Sequence, residues 1–321
     1  MRFLDAAQVR AAAPMPQLLD AIEGAYRDVA GGRDRSPVRS RIPIGAGDLI
    51  LMPGWRDDGA RASVKLVTFM PGNPARGLPT IHAVVVLLDA ATGEPLAMMD
   101  GATVTAMRTG AASGVGTRLL ARPDASVLAQ FGVGVQAAWQ VRAAIAARPI
   151  RQLRVFARTA ASRIAFAATM AAELGPDIEV VASESAEAAV RGADVICCAT
   201  TSSESVFSAD WVSPGTHVNG VGSFRLGMVE LPPELFGRAS LVAIDSHEAA
   251  LEEAGELVAA LDAGLLARDA FVEIGTIDRA WAAGRDPSAI TIFKSVGLAI
   301  QDLATAELVM SNAPLAGRDE D

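Results

Sequence analysis

The chain has 321 residues, 51% of them hydrophobic, and a formal net charge of −9 at pH 7. That length suggests about two domains with sizeable cores, and the acidic balance argues against nucleic acid or an anionic membrane as the main partner. No run of about 18 apolar residues is present to span a bilayer and no apolar leader follows Asp5, while the adjacent Cys197 and Cys198 point to opposite faces of an expected strand, which disfavours a disulfide and predicts a soluble protein of a reducing, cytoplasmic setting.

Residues 1–32 read as a short strand and an amphipathic helix, stopped by Gly31-Gly32. Residues 36–44 alternate, with Arg39 and Arg41 on one side and Val38 and Ser40 on the other. Segments 49–53, 63–69 and 81–89 are rich in Val, Ile and Leu and predict further strands, with turns at Pro71-Gly72-Asn73-Pro74 and Ala91-Thr92-Gly93-Glu94. The first hundred residues are thus mainly antiparallel β behind a leading helix. Residues 102–120 predict a helix whose small side chains suit close packing. From there strands (126–131, 153–157, 179–182, 194–199, 217–221, 241–244, 290–292) alternate with helices (136–147, 160–174, 185–191, 249–259). Such alternation implies a parallel, doubly wound α/β sheet with both faces covered. A last amphipathic helix is expected over 295–308 and a frayed polar tail over 311–321. No repeat, low-complexity segment or metal-ligand spacing is present.

The segment around which the rest is arranged is VLAQFGVGVQAAWQVR at 127–142. Gly132-x-Gly134-x-x-Ala137 fits the dinucleotide fingerprint, which accepts alanine at its third small position. Gly132 allows the strand-to-helix turn, Gly134 lets backbone approach a pyrophosphate, and the helix opening at Val135-Gln136 offers N–H groups to phosphate. A structural turn is the plainer reading, and the strand before, helix after and second strand weigh against it. NAD sites usually end that second strand with an acid that holds the ribose 2′-OH. Here the strand runs into Arg158-Thr159, followed by Ser162 and Arg163. Arg158 and Thr159 suit a 2′-phosphate, so NADPH is expected; Arg158 merely stacking on adenine would leave NADH possible.

Three cations stand out ahead of the fingerprint. Lys65 lies mid-strand among apolar neighbours, where the plain reading is an edge lysine facing water. Arg108 lies in a helix poor in charge, where a guanidinium can hold a carboxylate bidentately; the plain reading is a helix-surface arginine, and an exposed one for Arg39. His82 is more simply read as a packed strand residue than as a catalytic one, and His217 and His247 have no nameable partner.

These residues stand in motifs that resemble the ornithine cyclodeaminase/mu-crystallin family over nearly the whole chain. The matching segments are Pro37-Val38-Arg39, Val64-Lys65-Leu66-Val67 leading to Pro71-Gly72-Asn73, Gly77-Leu78-Pro79-Thr80, Asp100-Gly101 through Arg108-Thr109-Gly110-Ala111-Ala112-Ser113, Gly132-x-Gly134-x-Gln136-Ala137, Asn219-x-Val221-Gly222 and Phe293-Lys294-Ser295 through Gln301-Asp302. The resemblance implies a Rossmann domain (114–299) and a discontinuous α+β domain (1–113 with 300–321) for substrate binding and dimerisation. It implies that Arg39, Lys65 and Arg108 hold a substrate carboxylate, with Lys65 and Arg108 the catalytic candidates. Thr80 and Ser295 match positions lining the cofactor and substrate cleft. The cofactor-binding set is then Thr80, Gly132, Gly134, Val135, Gln136, Arg158, Thr159, Thr200, Val221 and Ser295.

The cyclodeaminases carry Val-Gly-Gly-Asp ahead of Pro-Gly-Lys-x-Glu-Leu, and that aspartate assists amine chemistry. Here Phe224 stands in its place within Val221-Gly222-Ser223-Phe224, and Met228 replaces the lysine. A phenyl ring neither accepts a proton nor pairs with an ammonium. The loop resembles instead the reductase branch, which implies reduction of cyclic 2-imino acids, Δ1-pyrroline-2-carboxylate and Δ1-piperideine-2-carboxylate, to proline and pipecolate, with Phe224 against the ring methylenes. The alternatives are a cyclodeaminase or alanine dehydrogenase-like enzyme of the same family, or a non-catalytic NADPH-binding protein. A homodimer is implied.

Overall fold

The computed structural model describes residues 1–314, and of 281–283 the backbone alone. Its elements in chain order are β1 (Arg2–Leu4), α1 (Ala6–Ala12), α2 (Met15–Ala30), β2 (Ser40–Ile44), β3 (Gly47–Gly54), β4 (Arg61–Phe69), β5 (Ile81–Asp89), β6 (Pro95–Asp100) and α3 (Gly101–Leu120). There follow β7 (Val127–Phe131), α4 (Val135–Ala147), β8 (Gln152–Phe156), α5 (Ala160–Leu174), β9 (Glu179–Ala182), α6 (Ala186–Val190), β10 (Val195–Cys198) and β11 (His217–Gly220). The remainder is α7 (Pro233–Arg238), β12 (Leu241–Ile244), α8 (His247–Glu253), α9 (Gly255–Asp262), β13 (Phe271–Glu273), α10 (Arg279–Gly284), β14 (Thr291–Lys294) and α11 (Ala299–Asn312). Two compact units share the chain. Met1–Ala25, Arg33–Arg108 and the chain from Ala299 form the first; Tyr26–Gly32 and Thr109–Leu298 form the second.

The first unit is built on a sheet of order β1-β6-β5-β4-β3-β2, antiparallel except for the β1–β6 pair. Asp5 starts α1 with a capping box, accepting from the Ala7 and Gln8 amides while Gln8 Oε1 accepts from the Asp5 amide. Helix α11 packs across β3, β4 and β5. On that face Ile50, Met52 and Val67 meet Ala299. A β-carbon on Gly54 would stand 2.9 Å from the Ala299 carbonyl oxygen, so the close approach of helix to sheet requires glycine there. Strand alternation sends the other residues to the opposite face. There the rows Leu51–Leu66–Val84 and Val64–Val86–Met98 are apolar yet only half-buried.

The second unit is an all-parallel sheet of order β13-β12-β14-β11-β10-β7-β8-β9. The direction of strand progression reverses between β7 and β10, which is the switch point where doubly wound sheets bind ligands beyond the strand C-termini. Apolar layers cover both faces, one including Leu128, Val141, Leu153 and Cys197, the other Phe131, Ile196, Cys198 and Phe236. The two adjacent thiols therefore face opposite layers, both buried and free, as alternation predicts.

Several boundaries differ from the sequence expectation. The helix expected over 249–259 is two helices, α8 and α9, broken at Ala254, whose φ of −87° and ψ of 89° are not helical; Gly255, which opens α9, sits where a β-carbon would stand 2.6 Å from the Leu226 carbonyl oxygen. The helix expected from residue 295 starts at Ala299, because Asp245 Oδ2 holds Ser295–Gly297 in a non-helical loop. It runs on through Asn312, so the expected tail begins later, and its residues 315–321 lie outside the described ones. Strand β13 and helices α1, α7 and α10 are too short to show a clear period, and β6, six residues long after the Ala91-Thr92-Gly93-Glu94 turn, was not expected. Among the described residues no helix is long and apolar enough to cross a membrane.

Candidate active site

Lys65 sits at the centre of β4, between Met52 of β3 and Val85 of β5 in register, and is 1% exposed. Taking an ammonium into such a place costs several kcal/mol unless it is paired. Helix α11 brings the partner: Asp302 Oδ2 lies 2.7 Å from the Lys65 Nζ. Oδ1 of the same carboxylate accepts from Arg108 Nε at 3.2 Å, and Arg108 Nη1 donates to Gln301 Oε1 at 2.8 Å. Burial pulls the Lys65 pKa down to about 7; Asp302 works against that pull, and the positive charges of Arg108 and Arg39 reinforce it.

The first unit thus brings Lys65 and Arg108 onto one acid, Asp302, that sequence reasoning passed over, with Arg39 near enough for its charge to act on Lys65. The edge-lysine reading fails because β4 is an interior strand, and the surface reading of Arg108 fails because that side chain is buried. Arg39 is half-buried just ahead of β2. Asp302 was visible only indirectly, as an acid in an apolar helix and as the counter-charge that a mid-strand lysine requires. Thr80 is half-buried and ends the turn before β5, its carbonyl accepting from the Met70 amide at 2.8 Å. His82 pairs with Thr68 in register, on the sheet face opposite Lys65, and is exposed rather than packed as the sequence reading expected.

In the second unit the fingerprint folds as its glycines require. Gly132 has φ +87°, and a β-carbon there would lie 2.5 Å from the Ala199 carbonyl oxygen. Gly134 opens α4 with nothing within 4 Å of where its β-carbon would be, and no side chain caps the helix. Its first N–H groups are left to a ligand. Val135 is exposed beside this opening, Ala137 is buried against the sheet, and the buried Gln136 Oε1 has no hydrogen-bond partner among the described residues. Thr200 and Val221 stand just past the C-terminal ends of β10 and β11. Arg158 and Thr159 follow β8, both exposed, and Thr159 caps α5 by accepting from the Ser162 amide. An uncapped helix, an open glycine and an orphaned amide oxygen at a strand-order switch fit a dinucleotide.

A second buried cluster lies beyond β11 and β14. Lys294 Nζ donates to the Ser223 hydroxyl at 2.6 Å and carbonyl at 2.7 Å and pairs with Glu256 at 3.1 Å. Glu230 accepts from the Thr200 amide and hydroxyl and from the Gly222 amide, tying the two post-strand loops together. Burial raises its pKa against the pull of Lys294, and Glu256 raises it further. Ser295 is buried, its hydroxyl donating to Asp245 at 2.9 Å. Phe224 is half-buried with the Arg225 guanidinium 5.2 Å over its ring. His217, which sequence reasoning left without partners, contacts Thr291 Oγ1 and Asn219 Oδ1 inside the sheet, where burial lowers its pKa to about 3.

The profile of the ornithine cyclodeaminase/mu-crystallin family matches residues 1–316. This chain belongs to that family. Among its relatives, a Delta(1)-pyrroline-2-carboxylate reductase of Bacillus cereus is 36% identical across all of this chain and 99% of its own length. The Thermococcus litoralis Delta(1)-pyrroline-2-carboxylate reductase, solved with NADH and L-proline, superposes with a TM-score of 0.90 at 34% identity, covering 98% of this chain and 97% of that one. An archaeal alanine dehydrogenase dimer with bound NAD gives a TM-score of 0.87 at 33% identity, covering 98% and 96%. The family fold expected from the motifs, a Rossmann-type unit and a second, mixed unit, is the one observed.

Proposed function

We propose that this chain is an NAD(P)H-dependent oxidoreductase that reduces cyclic 2-imino acids, Δ1-pyrroline-2-carboxylate to proline and Δ1-piperideine-2-carboxylate to pipecolate. The observation that carries the reading is a buried cluster with two cations, Lys65 and Arg108, for one carboxylate, Asp302. Its surplus positive charge suits one substrate carboxylate, and a carboxylate adjacent to C=N thereby fixes the carbon to be reduced. The bound dinucleotide supplies a hydride. Hydride addition turns C=N into C–N, and a ring nitrogen that entered protonated keeps its proton, so no separate electrophilic activation is needed. Arg39 joins Lys65 and Arg108 in holding the carboxylate, and Phe224 packs on the ring methylenes. Phe224 in place of an acid disfavours ammonia loss from ornithine. The related enzymes with solved structures carry NADH or NAD, whereas the exposed Arg158 and Thr159 favour a 2′-phosphate. Initial rates of NADPH and NADH oxidation with each imine, beside ornithine with NAD, test the whole reading. Turnover with an imine is expected, with Arg158→Ala weakening NADPH use about tenfold and leaving NADH unchanged; inert imines with active ornithine would overturn it.

The apolar, half-buried rows of the first unit's sheet support pairing of two copies through that face, in keeping with the dimeric alanine dehydrogenase. Light scattering should give twice the chain mass, and Val86→Asp a monomer; a monomeric native protein would dismiss the pairing. Two free, buried thiols in register with apolar layers accord with a cytoplasmic home.

A further inference from the structure

The Lys65 ammonium is crowded by influences that favour losing its proton. Its in-register neighbours Met52 and Val85 are apolar, the sheet and α11 exclude water, and the guanidiniums of Arg108 and Arg39 repel it. The groups facing it from the elements packed around it are those two arginines and Asp302 of α11, and only Asp302 favours the charged form. Asp302 also meets Arg108 Nε, while Gln301, one residue earlier on the same helix, takes Arg108 Nη1. One turn of α11 therefore orients both cations at once.

We propose that Asp302 is the positioning residue of the carboxylate site: it fixes Lys65 and Arg108 in one place and governs how firmly Lys65 holds its proton, and thereby the upper pH limit for substrate capture. The proposal rests on the carboxylate-clamp reading above. Free enzyme binds an anion while Lys65 is charged. As pH rises through the Lys65 pKa of about 7, the clamp loses one of its charges and capture weakens. Removing the Asp302 charge moves that loss to lower pH, because a stabiliser of the ammonium has gone. An arriving substrate carboxylate adds a second stabiliser, so the effect falls on kcat/KM more than on kcat.

The test is the pH profile, from 5.5 to 9, of kcat/KM and of binding of pyrrole-2-carboxylate, a planar ring acid with no imine to reduce. Wild type should show an alkaline limb that begins near neutrality. Asp302→Asn should carry that limb at least one pH unit lower, losing more than tenfold at pH 8 relative to wild type and less at pH 6. Asp302→Glu should retain a limb, displaced by the altered charge separation, and Lys65→Arg should abolish it. Should Asp302→Asn not fold, Asp302→Glu carries the decision. A loss by one common factor at every pH, or a flat wild-type profile, would overturn the proposal. Wild type that binds pyrrole-2-carboxylate along this limb yet reduces no imine would instead sink the assigned reaction and leave the role of Asp302 standing.

Discussion

Two buried lysines in this chain make opposite uses of the same chemistry. Lys294 sits with an excess of acid, Glu256 beside it and Glu230 near, and the acids are further met by the Ser223 and Thr200 hydroxyls and by backbone amides. Lys65 sits with an excess of base, since Asp302 is shared with Arg108 and Arg39 adds repulsion. The first arrangement is closed: amides and hydroxyls complete the carboxylates, and the cluster knits the loops after β10 and β11 to the end of β14. The second carries a surplus of positive charge, which the carboxylate of the proposed substrate would balance. Burial alone marks neither as functional. The sign of the imbalance does.

That contrast can be broken by experiment. Lys294→Met strands two buried carboxylates, so a stability loss of about 3–5 kcal/mol is expected in chemical denaturation; a loss below about 1 kcal/mol would mean the cluster is not the tie described here. Lys65→Met leaves Asp302 its bond to Arg108, so the chain should stay folded while kcat/KM for the imine falls about a hundredfold, roughly 2.7 kcal/mol of transition-state binding. Full turnover by Lys65→Met would remove Lys65 from the clamp. The smallest effect, over the range pH 7 to 5, concerns His217, which the folded sheet holds neutral. Its folded pKa of about 3 lies below the ordinary value of 6.5, so below that value the unfolded chain binds the extra proton. Stability is then lost as pH falls from about 6.5 toward 3, by up to about 1.4 kcal/mol per pH unit from this group. Denaturation midpoints at pH 7, 6 and 5 should fall less steeply in His217→Asn; parallel slopes would assign the acid sensitivity elsewhere.

The architecture was legible where period and punctuation agree. The strands 179–182, 241–244 and 81–89 and the helix 160–174 were read with the bounds they have, because regular apolar spacing ends there at turn or cap residues. The glycine turn was legible because only glycine tolerates φ near +87° against the Ala199 carbonyl. The site was half legible. Lys65 and Arg108 announce themselves as charges in apolar or small-residue settings, but Asp302 meets Arg108 across 194 positions, and no local pattern encodes a contact at that separation. The loop ahead of α11 failed for the same reason, since the Asp245 carboxylate that holds it lies elsewhere in the chain, and the break at Ala254 falls inside a stretch of helical apolar spacing that carries no local stop signal.

The adjacent thiols of β10 carry a practical consequence. Cys197 and Cys198 face opposite apolar layers, and burial raises both pKa values, Cys197 to about 12. A thiol reacts as thiolate, and neither thiolate exists while the layers are in place. Alkylation therefore has to wait for the sheet to open, and one strand reports on both of its coverings at once. The speed at which a maleimide captures these two sulfurs becomes a clock for opening of the parallel sheet, readable by mass without any introduced label site.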